Sequence, residues 1–485
     1  MNREGTVFDR EKDLFTAFAA GRLNRRELLG ATARLGLATA AASHLLGAAA
    51  TSALADDFDW QAHKGTALKL LLNRHPYTDA LIADLDSFRN LTGIAVSYDV
   101  LPEDMYFDKL TELLQAKSDG YDAFMTGAYM TWTYGPAGWL EDLAPYIADP
   151  AKTNPRYAWD DILPGLRAST AWNGIAGTPL GSADAKQWCL PWAYEVPSLT
   201  YNKVLYDRLG LQPPADMDGL IETTARFQQQ AGGPYGIGVR GSRSWATIHS
   251  GFLSAYANFG LKDFTVADGR LAPAMNTTGS KAFHASWVKL VQGAGPPKPA
   301  TCSWYKVGSD LGSGASGMIY DADIIGYFAN GGENKEAGHL GFHAFTPNPA
   351  ARAPTPNVWI WSLALSRFSR NKDAAWLWMQ WASSLEHGLF GARKMDFINP
   401  VRKAVADDAE WHGRIAQHYP GYLDQLAASS PGAKIYFTAQ PLFFDVTTDW
   451  ATSLQKMVTG QVPVDEELDR LAEALTGRLK EAGIG

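Results

Sequence analysis

Cysteine is almost missing from this chain, with two residues, Cys189 and Cys302, in 485. So few exclude a disulfide-stapled scaffold and a Cys-rich metal cluster. Whether the two form one bridge or stay as separate buried thiols is left open by the sequence. The scattered His show no ligand spacing, so no metal site is expected. Positive charge is also in short supply: 43 Lys and Arg face 51 Asp and Glu, a formal net charge of −8. With no dense basic run, nucleic acid and other polyanions are excluded as partners. Strongly apolar stretches of transmembrane length are absent too. The least polar segment near the start, 28–50, is mostly Ala, Gly, Thr and Ser, interrupted by Arg34 and His44. There is no phosphate loop, no His-Glu-x-x-His and no Gly-x-Ser-x-Gly. Gly312-x-Gly314-x-x-Gly317 has a dinucleotide spacing but runs into an apolar strand and not a helix, so it reads as a turn. No cofactor is expected.

What the chain does have is length and aromatic rings. At 46% hydrophobic and 19% charged it can bury a large core divided over two or three globular units. Aromatic residues make up 12%, with 17 Trp and 19 Tyr, a composition suited to ligand faces that are part apolar and part hydroxyl once the core is filled. Residues 1–55 read as an export address. Asn24-Arg25-Arg26-Glu27-Leu28-Leu29 is a twin-arginine pattern, the Ala-rich stretch follows, and Ala53-Leu54-Ala55 offers small residues for cleavage near Ala55. Asn24 and Leu28 depart from the usual Ser or Thr and Phe of that pattern. No Cys stands at the cleavage position, which implies a free periplasmic protein and no lipid anchor.

Along the mature region the period switches between two and 3.6. A strand over 67–72 is followed by a helix from an N-cap at Thr78, with Leu81, Ile82, Leu85 and Phe88 on one face and Gly93 at its end. Ile94, Val96, Tyr98 and Val100 alternate with smaller or polar residues as in a strand, and a helix over 107–117 leads to a strand at 121–125. Strands are expected again at 195–201, 318–320 and 358–365, with helices between and after them. The last helix starts with Asp465-Glu466-Glu467 and carries a stripe of Leu468, Leu471, Leu475 and Leu479. Such alternation predicts an α/β protein whose mostly parallel sheets are flanked by helices, with a ligand crevice at the strand carboxyl ends.

Seven segments in order then carry a resemblance. They are Phe88-Arg89-Asn90-Leu91-Thr92-Gly93-Ile94; Tyr121-Asp122 through Ala137-Gly138-Trp139-Leu140-Glu141-Asp142-Leu143; Pro191-Trp192-Ala193-Tyr194-Glu195-Val196-Pro197-Ser198-Leu199-Thr200-Tyr201-Asn202-Lys203; 314–318; 361–369 before an Ala-rich helix; Asn399-Pro400-Val401-Arg402; and Thr459-Gly460-Gln461. Together they resemble the extracellular solute-binding proteins of sugar ABC importers, the family that includes maltose-binding protein. His75-Pro76-Tyr77 and the stretch 304–327 look most like the sorbitol- and mannitol-binding members, whereas 176–188 is longer than that pattern. The resemblance implies a type II two-lobed binding-protein fold with a multi-crossing hinge, an N-terminal lobe of 56–193 plus 322–358 and a C-terminal lobe of 194–321 plus 359–485. Crossings are expected near 192–197, 320–325 and 356–362. It further implies a monomer that captures a sugar or polyol by lobe closure and hands it to membrane permease subunits coupled to a cytoplasmic ATPase, without catalysis.

A sugar or polyol needs flat rings for its C–H faces and charged or amide groups for its hydroxyls. Segments near the crossings have that character: Trp192, Tyr194 and Glu195, the last matching a ligand-contacting Glu of maltose-binding protein; Tyr320, Asp321 and Asp323; and Trp359 and Trp361. Loops after strands add His75, Tyr77, Tyr129, Trp132 and Trp245, and Arg402 either pairs with an acid or reaches a hydroxyl. Each has a structural alternative in core packing, capping or ion pairing. Two other functions remain in view: an exported glycosidase using Glu195 and Asp321 as its two acids, and a loaded partner of a sensory receptor.

Overall fold

The computed structural model describes residues 58–229, 233–395 and 397–485, so the expected leader lies outside the described residues. In chain order the strands are β1 (Ala67–Asn73), β2 (Ala95–Leu101), β3 (Ala123–Gly127), β4 (Ala171–Trp172), β5 (Lys186–Gln187), β6 (Leu190–Glu195), β7 (Pro197–Asn202), β8 (Phe264–Ala267), β9 (Arg270–Pro273), β10 (Met318–Ala322), β11 (Leu340–His343) and β12 (Trp359–Leu365). The Leu70-Leu71-Leu72 run of β1 is buried on both faces, as a strand covered by helices requires. β1 pairs in parallel with β2 and β3, and the first sheet runs in the order β2-β1-β3-β12-β6. β12 is antiparallel to both β3 and β6, so four strands point one way and β12 opposes them.

The second sheet has the order β10-β7-β11, with both neighbours antiparallel to β7. The two-lobed α/β design stands, but the expectation of mostly parallel strands holds only in the first sheet. Buried apolar runs carry no signal of strand direction, and the long helical excursion between β7 and β10 frees the return from the parallel crossover rule.

Three further differences are local to particular segments. The strand expected over 195–201 is two strands: Glu195 ends β6 in the first sheet and Pro197, which has no N–H to donate, opens β7 in the second. The helix expected from Thr78 to Gly93 is two, Pro76–Ala83 and Leu85–Thr92, broken at Asp84. Its N-cap is His75, whose Nδ1 accepts from the Tyr77 N–H at 3.3 Å, while the Thr78 hydroxyl donates to the Asn73 carbonyl. Finally, sheet membership beyond 322 is the reverse of the expected division. β11 joins β7, and β12 joins β3 and β6. The helix Asp323–Ala329 packs on β7 and β10, whereas Lys372–Ala382 packs on β12 and Leu385–Lys394 on Pro76–Ala83. An apolar strand does not announce which sheet it will enter, and 320–325 accordingly lies within the second lobe, with no crossing there. The strands cross between sheets at Val196 and again between His343 and Trp359.

A buried polar cluster braces these connections. The Asp323 carboxylate accepts from Val196 N at 3.0 Å, Asn399 Nδ2 at 2.9 Å and the Tyr422 hydroxyl at 3.0 Å. Asn399 also donates to the Tyr194 carbonyl, and the Tyr422 hydroxyl lies 2.8 Å from Asn399 Oδ1. Cys189 and Cys302 are both buried and both free. No helix among the described residues is long and apolar enough to cross a membrane.

Candidate functional site

The carboxyl ends of β1 and β6 and the start of β12 converge on one side of a narrow gap, delivering His75, Glu195, Trp359 and Trp361. Trp359 and Trp361 share one face of β12 because strand side chains alternate. Their rings meet edge to face with centroids 4.9 Å apart. Gly127, at the end of β3, is what lets the Trp359 ring in: a Cβ there would fall 2.4 Å from its Cη2 atom. Glu103, at the head of the helix Glu103–Gln115, completes this side. The other side comes from the second lobe: Arg240, Trp245, His249, Trp304, Ile324 and Ile325. Trp245 stacks on Trp359 across the gap at 5.4 Å and 24°.

Most of the polar groups are held in place by neighbours. Arg240 grips Asp321 with Nε and Nη2 at 2.7 to 3.1 Å, and its Nη1 donates to the Ala246 carbonyl and to His249 Nε2 at 2.8 Å. A guanidinium only donates, so His249 Nε2 accepts and Nδ1 carries the ring hydrogen. That Nδ1 and the Trp359 Nε1 are buried with no partner in the protein. Buried donors are seldom left so, and these two belong to residues lining the same gap. Glu195 Oε1 accepts from Trp361 Nε1 at 2.7 Å and sits 3.8 Å from His75 Nε2.

The Glu195–His75 approach has ion-pair geometry, yet burial argues against charge on both. Burial pushes the Glu195 carboxyl up to about 8, more than Arg240 and Trp361 pull it down, and drives His75 down to about 3. At neutral pH the pair is a protonated acid beside a neutral imidazole, because two charges removed from water at 3.8 Å without a direct hydrogen bond do not recover their hydration. His249 is likewise held well below its ordinary range by burial and by Arg240. The gap therefore offers rings, a carboxyl that can donate or accept, and unpartnered N–H donors, an assembly fitted to hydroxyl groups.

Of the residues singled out from sequence, the structure brings His75, Glu195, Trp245, Trp359 and Trp361 together, with Asp321 one layer behind on Arg240. The others it does not bring to the gap. Tyr77 donates to the Ile398 carbonyl and packs on Trp192 and Phe397. The Tyr129 hydroxyl donates to the Val358 carbonyl, and Trp132 packs between Trp172 and Phe443. Tyr320 lies against Phe345 and Trp287 in the core. Tyr194 and Asp323 serve the buried polar cluster. Arg402 is buried with donations to the carbonyls of Ser383, Tyr157 and Ala158 and to Asp161. Trp192, Tyr194 and Tyr320 lie on strands, whose pleat turns alternate side chains toward the core, whereas Tyr77, Tyr129, Trp132 and Asp323 stand on helical turns that follow a strand and Arg402 precedes the helix Lys403–Ala406. Glu103, Arg240 and His249 escaped notice as site residues. The signal for Glu103 was available in Pro102-Glu103 following a strand, whereas nothing local marks Arg240.

A family model for bacterial extracellular solute-binding proteins matches residues 74–387. The erythritol/L-threitol-binding protein of Mycolicibacterium smegmatis is 37% identical over 452 residues, covering 90% of this chain and 93% of its own. The mannitol-binding protein of Pseudomonas aeruginosa is 26% identical over 404 residues, covering 80% and 87%. An ABC transporter solute-binding protein of Agrobacterium vitis S4, solved with bound D-mannitol, superposes with a TM-score of 0.73 at 23% identity, covering 86% of this chain and 99% of that one.

Proposed function

This chain belongs to the bacterial extracellular solute-binding proteins, and from that premise we propose that it is the substrate-binding component of an ABC importer for a short acyclic polyol. One observation carries the reading most: rings from both lobes, Glu195, and the unpartnered donors Trp359 Nε1 and His249 Nδ1 meet in one narrow gap. A polyol hydroxyl both donates and accepts, so it pairs with an N–H and with the Glu195 carboxyl while its C–H faces lie on Trp359 and Trp245. The 37% relative named for erythritol and L-threitol favours four carbons. Ligand bridges the lobes and stabilises the closed arrangement, and the loaded form docks on permease subunits driven by a cytoplasmic ATPase. The protein acts as an exported periplasmic monomer, its leader removed near Ala55 after twin-arginine transport.

It breaks no bond. A glycosidase needs two acids free to work on one linkage, and Asp321, the partner considered for Glu195, has both oxygens engaged by Arg240. The test is titration calorimetry with erythritol, L-threitol, ribitol, D-mannitol and maltose, alongside aryl glycoside turnover. Saturable binding of the four-carbon alditols with no turnover is expected. Heat with none of the alditols, or turnover lost in Glu195→Gln, rejects the reading.

A further inference from the structure

Beside the gap lies a second and much larger space. The inner cavity is about 20 Å3, whereas the adjoining chamber is about 460 Å3 and shares Glu103, Arg240, Trp245 and Trp304 with it. Across that shared boundary the lobes are hydrogen-bonded, the Trp304 indole N–H donating to Glu103 Oε1 at 2.9 Å. Its two ends stand on separate scaffolds. Glu103 opens the helix Glu103–Gln115 next to β1, and its other oxygen accepts from Asn73 Nδ2 at 3.4 Å. Trp304 opens the helix Trp304–Ser313, which packs on Asp323–Ala329 in the second lobe. The indole stacks on Tyr305 with centroids 3.7 Å apart and lies 6.5 Å from the His75 ring.

Resting on the polyol reading above, we infer that Trp304 and Glu103 form a clasp that sets the length of ligand the protein accepts. The gap holds about 20 Å3, room for a water, so a ligand enters between Trp245, Trp359, Trp361 and Glu195 by moving these side chains apart, and with the clasp made its far end stops at Trp304 and Glu103. With it removed, the gap joins the chamber, whose Ser242, Ser244, Thr247, Ser303 and Thr448 hydroxyls and Arg243 offer partners to further hydroxyl-bearing carbons. The clasp is thus a specificity determinant. A bond that merely helped closure would affect all ligands equally.

The test measures Kd for erythritol, ribitol and D-mannitol by calorimetry on the wild-type chain, Trp304→Ala, Trp304→Phe and Glu103→Ala. The ratio of mannitol to erythritol Kd should fall by about tenfold or more in Trp304→Ala, from weaker erythritol and stronger mannitol binding. Trp304→Phe keeps a plate at the boundary but loses the N–H, so it should lose the preference as Glu103→Ala does. Glu103→Ala carries the same test if Trp304→Ala does not fold, as judged by its melting transition. Unchanged ratios in folded Trp304→Ala and Glu103→Ala overturn the clasp while leaving the polyol reading intact. A wild-type chain that binds no alditol at all removes both.

Discussion

Glu195 is a carboxyl held protonated by burial, and its titration has a definite sign. Between its ordinary 4.5 and about 8 the folded chain keeps a proton that the unfolded chain has released, so stability falls as pH rises through that window. His75 and His249 act oppositely, since burial keeps them neutral below their ordinary 6.5 and stability rises with pH up to that value. Asp323, pushed by burial up to about 6, acts in the same sense as Glu195 but over a window that closes earlier. Of these groups Glu195 dominates as pH approaches 8, where the unfolded histidines are nearly all neutral and Asp323 is ionised, so the melting temperature of the unliganded protein should decline there and Glu195→Gln should flatten the decline. An identical slope in the variant contradicts the assignment. Glu195 itself was legible in the sequence because it ends a strand at a recognisable crossing motif. Arg240 was not: its role comes from Asp321, 81 positions away, and no local pattern encodes that pairing.

At the scale of elements, the helix Asp323–Ala329 is the most exactingly seated part of the site. It presents Ile324 and Ile325 to the gap and lies so close to β7 that a Cβ at Gly326 would fall 2.1 Å from Thr200 Oγ1. Gly326→Ala should therefore displace the helix, lower stability by about 1–3 kcal/mol, and weaken polyol binding with it. Denaturant unfolding and calorimetry read both effects, and full affinity in a destabilised variant would detach the helix from the site. Sequence pattern located β1, β2, β3, β10, β12 and the last helix, because burial shapes where apolar residues fall. It failed at 195–201, where one apolar run serves two sheets, and at the break after Ala83, where a helical pattern continues through Asp84 although the backbone does not.

For the whole molecule, the cluster of Asp323, Asn399 and Tyr422 ties the first crossing to the distant carboxyl-terminal third. Tyr422→Phe removes a hydroxyl that serves both Asp323 and Asn399 within a buried setting, an expected loss of about 1–3 kcal/mol. Small-angle scattering should then show a wider spread of lobe separations without ligand and a return to the compact form at saturation; no change in either measurement argues that the cluster is only a packing feature. Lobe assignment was the least legible part of the fold, since β12 carries nothing that says which neighbours it will choose. Its position has a consequence for biosynthesis. The strand that fills the slot between β3 and β6 emerges from the ribosome only after both β7 and β11 of the other sheet have been made. Until residue 365 is out, β3 and β6 present bare edges to one another and to any passing chain. The amino-terminal half cannot be finished first, and a nascent chain stalled before β12 is the species most in need of a chaperone.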